Sequence, residues 1–113
     1  MLNVGQLVTI PFPFTDIQKS KPRPVLVISR PDHYGDFICL AITSRIHEID
    51  AVSITQADMQ EGALPLSSWV RTDKIFTLNV NLVIKILGQL HQNTFEKIRT
   101  ELCIKFGCHP RGH

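Results

Sequence analysis

Two short apolar runs, each hemmed in by turn-forming residues, limit the folds open to this chain. Val25-Leu26-Val27-Ile28 ends on Ser29, and Phe37-Ile38-Cys39-Leu40-Ala41-Ile42 ends on Thr43-Ser44-Arg45. Between them lies Pro31-Asp32-His33-Tyr34-Gly35-Asp36. Runs this short, rich in β-branched residues and bounded by Pro, Gly and Asp, read as strands buried on both faces or in a small barrel. The first run is entered through Lys21-Pro22-Arg23-Pro24. Proline fixes its own φ and pushes the residue before it toward extended backbone, so Arg23 is held extended at the lip of a strand. A guanidinium placed there is either a solvated arginine ending a loop or a phosphate-binding group.

The remaining pattern is consistent with a β-protein. Residues 4–10 alternate loosely and favour a strand. Pro11-Phe12-Pro13-Phe14 rules out a central strand continuing there, and residues 15–20 read as a loop or hairpin connection. Residues 51–54 read as a short strand, and 56–62 as a turn or single helical turn. Residues 68–76 read as a strand with one polar face, Trp69, Arg71 and Asp73 lying opposite Val70, Thr72 and Lys74. Residues 82–90 read as an apolar strand in which Gly88 marks a bulge or close backbone contact. One helix is expected near the C-terminus. Asn93 caps it with Glu96 three residues on, Phe95, Ile98, Leu102 and Phe106 share a face, and Gly107 stops it. Five or six strands and one helix predict a mainly β fold, a small antiparallel barrel over residues 1–107, followed by a short polar tail, residues 108–113.

Composition narrows the function. The chain has 113 residues, 43% hydrophobic and 19% charged, which fits one folded domain. A net charge of +2 is too mild to hold nucleic acid by bulk electrostatics, so any polyanion site must be local. No apolar run approaches the roughly 20 residues of a membrane span, and no secretory signal is expected at the N-terminus. Cys39, Cys103 and Cys108 are odd in number and irregular in spacing. That argues against a disulfide framework and for a reducing, cytoplasmic setting.

Most chemistries are poorly served. Cys103, Cys108, His109 and His113 lack a second ligand pair at finger-like spacing, so no metal is expected. Cys39 sits mid-strand as a small apolar residue, and Asp32 and Asp36 are explained by the turn they flank. There is no glycine-rich phosphate loop or Gly-x-Ser-x-Gly elbow, and no cofactor is expected. What remains is Arg23 before one strand and Thr43-Ser44 after the next. If the strands pair as a hairpin through residues 31–36, Arg23 and Thr43 fall at the same end of the sheet.

These residues sit within a longer pattern. Gly5 with Val8, Pro11-Phe12-Pro13-Phe14-Thr15-Asp16, Arg23-Pro24-Val25-Leu26-Val27-Ile28-Ser29 and Ile42-Thr43-Ser44 together resemble the MazF/PemK family of toxins from type II toxin–antitoxin systems. The likeness continues through Leu64-Pro65, Ser68-Trp69-Val70-Arg71, Asp73-Lys74-Ile75, Gly88-Gln89-Leu90 and the final helix. The resemblance implies an SH3-like barrel that forms a homodimer and cuts single-stranded RNA without a metal. It also implies a cognate antitoxin whose acidic, disordered tail occupies the RNA groove. By this resemblance Arg23 matches the catalytic arginine and Thr43 the catalytic hydroxyl residue. An acid/base role is attributed to that arginine, yet a guanidinium stays protonated at ordinary pH, so stabilisation of phosphate charge is the better expectation. His33 or His47 is then either a loop surface residue or a base. Phe14, Lys19, Lys21, Ser44 and Arg45 are the expected RNA contacts, joining an aromatic to positive charge.

The chain departs from the family at two places. Gln6 replaces an acidic residue, and Lys21-Pro22 replaces a glycine-rich approach to the arginine. Two alternatives therefore stand beside the ribonuclease: a growth inhibitor of the same fold that binds a protein such as gyrase, and a decayed relative that keeps only antitoxin binding.

Overall fold

The computed structural model describes residues 2–11, 21–45 and 49–108. Among these residues seven strands lie in one antiparallel sheet: β1 (Gln6–Pro11), β2 (Pro22–Val27), β3 (Asp36–Thr43), β4 (Ala51–Ile54), β5 (Met59–Gly62), β6 (Ser68–Asn79) and β7 (Lys85–Leu90). Their order is β4-β6-β3-β2-β1-β7-β5, and the sheet curls into a half-barrel closed by one helix, α1 (Gln92–Lys105). The mainly β expectation is met.

The unbroken apolar runs have a physical reason. Successive side chains of a strand point to opposite faces, and both faces of β2 and β3 are covered. Leu26 and Leu40 join Leu7, Ile54, Val70 and Leu90 under the helix, where Phe95, Ile98 and Leu102 seal the concave side. Val25, Val27, Phe37 and Cys39 join Val8 and Ile10 on the other face. Each such side chain contributes about 1.5–3 kcal/mol by leaving water.

Several elements differ from expectation. β5 was expected as a turn; its Met-Gln-Glu-Gly sequence buries only Met59, so it carries no strand signal, and pairing with β7 makes it a strand. β6 runs on to Asn79, and β7 begins only at Lys85 after a 3₁₀ turn at Val80–Leu82. The helix starts before Asn93. His91 occupies the cap position and no side chain caps it. A tertiary contact sets the start instead: His91 N–H donates to Asp58 O at 2.8 Å, and Thr94 Oγ1 donates to Asp58 Oδ1 at 2.8 Å. The capping box lies elsewhere, at Thr55 and Asp58. Glu96 turns to Gln92 and Arg99. Phe106, expected on the buried face, sits past the last helical turn and is 65% exposed. Cys103 and Cys108 are joined by a disulfide, against the expectation that the cysteines stay unpaired, and Cys39 remains free and buried.

Candidate active site

The hairpin forms as the two apolar runs require. β2 and β3 pair in the register Val25↔Ala41, Leu26↔Leu40 and Val27↔Cys39. Carried two residues further, that register brings Arg23 level with Thr43. The ladder does not reach them, and the prolines are the reason. Gly5 N–H donates to Val27 O, whereas Ile28 N–H donates to Ile38 O. Odd-numbered residues of β2 thus present their backbone groups toward β1, and even-numbered ones toward β3. Pro22 and Pro24 are even, so the side facing β3 lacks donors where the ladder stops. Arg23 is still held from the other side by pairing with Ile10 of β1. The β2–β3 ladder therefore ends at Val25↔Ala41.

A groove of about 250 Å³ opens there, lined by Arg23, Thr43 and Ser44 together with Thr9, Ser68 and the apolar wall of Leu64, Leu66 and Leu87. Arg23 is exposed and Thr43 half-buried. The Thr43 hydroxyl oxygen accepts the Arg45 N–H at 3.2 Å. This leaves its own O–H free to donate into the groove. The far wall depends on a close backbone approach. A Cβ at Gly88 would overlap Glu61 O and lie 2.9 Å from Gly62 Cα, so β5 reaches β7 only because both positions are glycine. Gln56 then pins the turn that follows, donating to Gly62 O at 3.1 Å and accepting from Leu64 N–H at 2.8 Å. Ser68 Oγ donates to Leu66 O at 2.8 Å and fixes the other end of the wall.

The structure brings together Arg23, Thr43 and Ser44. Lys21 and Arg45 are exposed beside them without lining the groove. Phe14, Lys19 and His47 lie outside the described residues. His33 is elsewhere: it sits in the turn at the opposite end of the hairpin, its ring against Tyr34 at 3.9 Å. Gln6 is also remote, at the far end of β1 from Arg23, where its Oε1 accepts the Asn3 N–H at 2.8 Å. That departure therefore falls on a turn clasp rather than on the groove. Burial pushes the Cys39 thiol up to about 12, which removes it as a nucleophile. A larger cleft of about 450 Å³ between β4 and α1 contains the Lys105–Asp50 ion pair and none of the expected site residues. Among the described residues no cluster of metal-ligating side chains occurs. No described helix is long and apolar enough to cross a membrane.

Sequence reasoning did not place Thr9, Gln56 or the wall at residues 64–66 in the site. Leu64-Pro65 entered only as part of the family pattern, and Gly88 marked a close approach without naming what it builds.

The antiparallel half-barrel closed by one helix is also the fold of known toxins. Residues 3–106 match the family described as PemK-like, MazF-like toxin of type II toxin–antitoxin system, and the chain belongs to that family. A search of curated proteins gives no match. Among solved structures the chain is similar to an endoribonuclease in complex with its cognate antitoxin from a mycobacterial species. The TM-score is 0.78 at 24% identity, covering 97% of this chain and 99% of that one. A second mycobacterial endoribonuclease gives 0.71 at 26% identity, covering 94% and 92%. MazF in a MazE–MazF complex from Deinococcus radiodurans gives 0.74 at 23% identity, covering 96% and 98%.

Proposed function

We propose that the chain is the toxin of a type II toxin–antitoxin pair and acts as a metal-independent endoribonuclease on single-stranded RNA at short specific sequences. The observation that carries this reading is that Arg23 and Thr43, level by the β2–β3 register carried two residues past its last pair, line one groove. Cutting RNA through its own 2′-OH passes through a phosphorane more negative than the ground state. Arg23 supplies a forked, permanently charged donor to the phosphate oxygens. Thr43, with its oxygen already engaged by Arg45 N–H, supplies a hydroxyl donor to a second oxygen. Lys21, Ser44 and Arg45 flank the path of the strand and contact its phosphates and bases, and Phe14 and Lys19 are further RNA contacts by their chemistry alone. The open groove suits an unpaired strand better than a duplex, because its apolar wall offers a surface to splayed bases.

The same groove accepts the acidic, disordered tail of a cognate antitoxin, whose carboxylates take the place of phosphates at Arg23. The functional unit is a homodimer in the cytoplasm. Long single-stranded RNA incubated with the protein and a chelator should give discrete fragments ending in 2′,3′-cyclic phosphate. Arg23→Ala should leave the RNA whole. Intact RNA with the wild-type protein, or unchanged cleavage by the variant, would overturn the reading. A sedimentation run containing only a 12.8 kDa species would remove the homodimer.

A further inference from the structure

The C-terminal end of α1 carries chemistry that the groove does not use. The helix closes with Cys108 N–H donating to Cys103 O at 2.9 Å and Gly107 N–H donating to Ile104 O at 3.0 Å, with Gly107 at φ +80°. This is the Schellman arrangement, in which the side chains three residues before the end and two beyond it meet, usually as an apolar pair. Here both positions are cysteine. Their Cα atoms are 5.1 Å apart and their sulfurs are bonded. The spacing of five residues, which looks irregular as a disulfide pattern, is the spacing this helix ending brings together.

We propose that Cys103 and Cys108 form a reversible thiol–disulfide site for a low-molecular-weight disulfide of the glutathione class, preorganised by the left-handed turn at Gly107. Three observations support reversibility. Cys108 is exposed and Cys103 half-buried, so one sulfur is open to exchange and the other lies behind it. The helix is anchored through Phe95, Ile98 and Leu102, and neither cysteine belongs to the buried core. The closed loop is short, so the bond constrains little of the unfolded chain, and the barrel does not depend on it. A hollow of about 220 Å³ beside the pair is lined by Glu96, Arg99 and Thr100, with Arg99 paired to Glu96 at 3.4 Å, which gives a small disulfide room to approach Cys108.

The exchange balances as two displacements. The Cys108 thiolate attacks the small disulfide, forming a mixed disulfide and releasing one small thiolate. The Cys103 thiolate then attacks the Cys108 sulfur, closing the protein disulfide and releasing the second. The two protons lost by the cysteines end on the two released thiols. Two protein thiols are oxidised and one small disulfide is reduced.

The full chain, fully reduced, is equilibrated with oxidised and reduced glutathione at graded ratios, quenched by alkylation and read by mass spectrometry. Cys39 serves as an internal control, because its buried thiol should label only on unfolding. The folded chain is expected to form the Cys103–Cys108 bond about tenfold more readily than the urea-unfolded chain. Gly107→Ala should reduce that advantage by about as much, since a Cβ opposes the left-handed turn while meeting nothing within 4 Å. Reduction should leave the far-ultraviolet spectrum of the wild type nearly unchanged and lower its stability in urea only by the matching factor of about ten, about 1.4 kcal/mol. Equal bond formation in folded and unfolded chains would overturn the proposal, as would an unaffected Gly107→Ala variant. A barrel that unfolds on reduction would overturn it too, by making the disulfide structural.

Discussion

Replacing Gly88 by alanine places one methyl group where the backbone of β5 already lies. The new Cβ would overlap Glu61 O and stand 2.7 Å from Met59 Cε and 2.9 Å from Gly62 Cα. The methionine tip can swing aside. The other two atoms are backbone and cannot move without parting the strands, since ordinary carbon contacts lie at about 3.5–4.0 Å. β5 must retreat by about 1 Å, which loosens the pairings Met59↔Leu90, Glu61↔Gln89 and Gly62↔Gly88. Overpacking of this kind costs about 1–3 kcal/mol, and weakening one or two ladder hydrogen bonds adds about 1 kcal/mol. We expect a loss of about 2–4 kcal/mol, seen as a fall of about 1–2 M in the urea midpoint. Gly107→Ala, in the same reducing buffer, is the matched control. Its methyl meets nothing, and the loss should be only about 1 kcal/mol of backbone strain. Because β5 leads into the wall at residues 64–66, Gly88→Ala should also slow RNA cleavage, and Gly107→Ala should not. A Gly88→Ala variant no less stable than Gly107→Ala would refute the packing argument.

Two further perturbations follow from single contacts. Asp58 accepts Thr55 N–H at 2.7 Å and Thr94 Oγ1–H at 2.8 Å, joining the 3₁₀ turn at Gln56–Asp58 to the start of α1. Asp58→Ala should cost about 2 kcal/mol in urea unfolding, with part recovered in Asp58→Asn; an unchanged midpoint would show that the helix start is fixed otherwise. Cys39 makes stability depend on alkaline pH. Its thiol is raised from 9.0 to about 12 by burial, so the folded chain keeps this proton after the unfolded chain has lost it. The contribution is whole below pH 9 and is lost progressively between 9 and 12. By about pH 10.5 the wild type should have lost about 2 kcal/mol relative to about pH 8 that Cys39→Ala does not lose. Parallel pH profiles for the two proteins would contradict this.

The residues that announced themselves in the sequence were those whose structure depends on near neighbours. The β2–β3 hairpin follows from two apolar runs and one turn, and its register is enough to bring Arg23 level with Thr43. The resemblance added the meaning of that juxtaposition. Elements set by distant contacts were not legible. β5 is a polar edge strand recruited by β7, and the helix begins where Asp58 holds it rather than at Asn93. Phe106 fits the periodicity of the buried face but comes one residue after the helix has ended. The cysteine pair was hidden for a related reason: its spacing has meaning only once a left-handed glycine closes the helix. In the groove, the charged and hydroxyl groups could be read from the chain. The wall opposite them could not, because it arises from two glycines that let strands approach.

The central claim is that Arg23 and Thr43 act as one unit on the scissile phosphate. Single-turnover cleavage by the wild type, Arg23→Ala, Thr43→Val and the double variant tests it directly. Each single change should slow the chemical step by about 10²–10³-fold, and the double variant should be little slower than the worse single one. A double variant slowed by the full product of the two effects would contradict the account, as would wild-type cleavage by Thr43→Val.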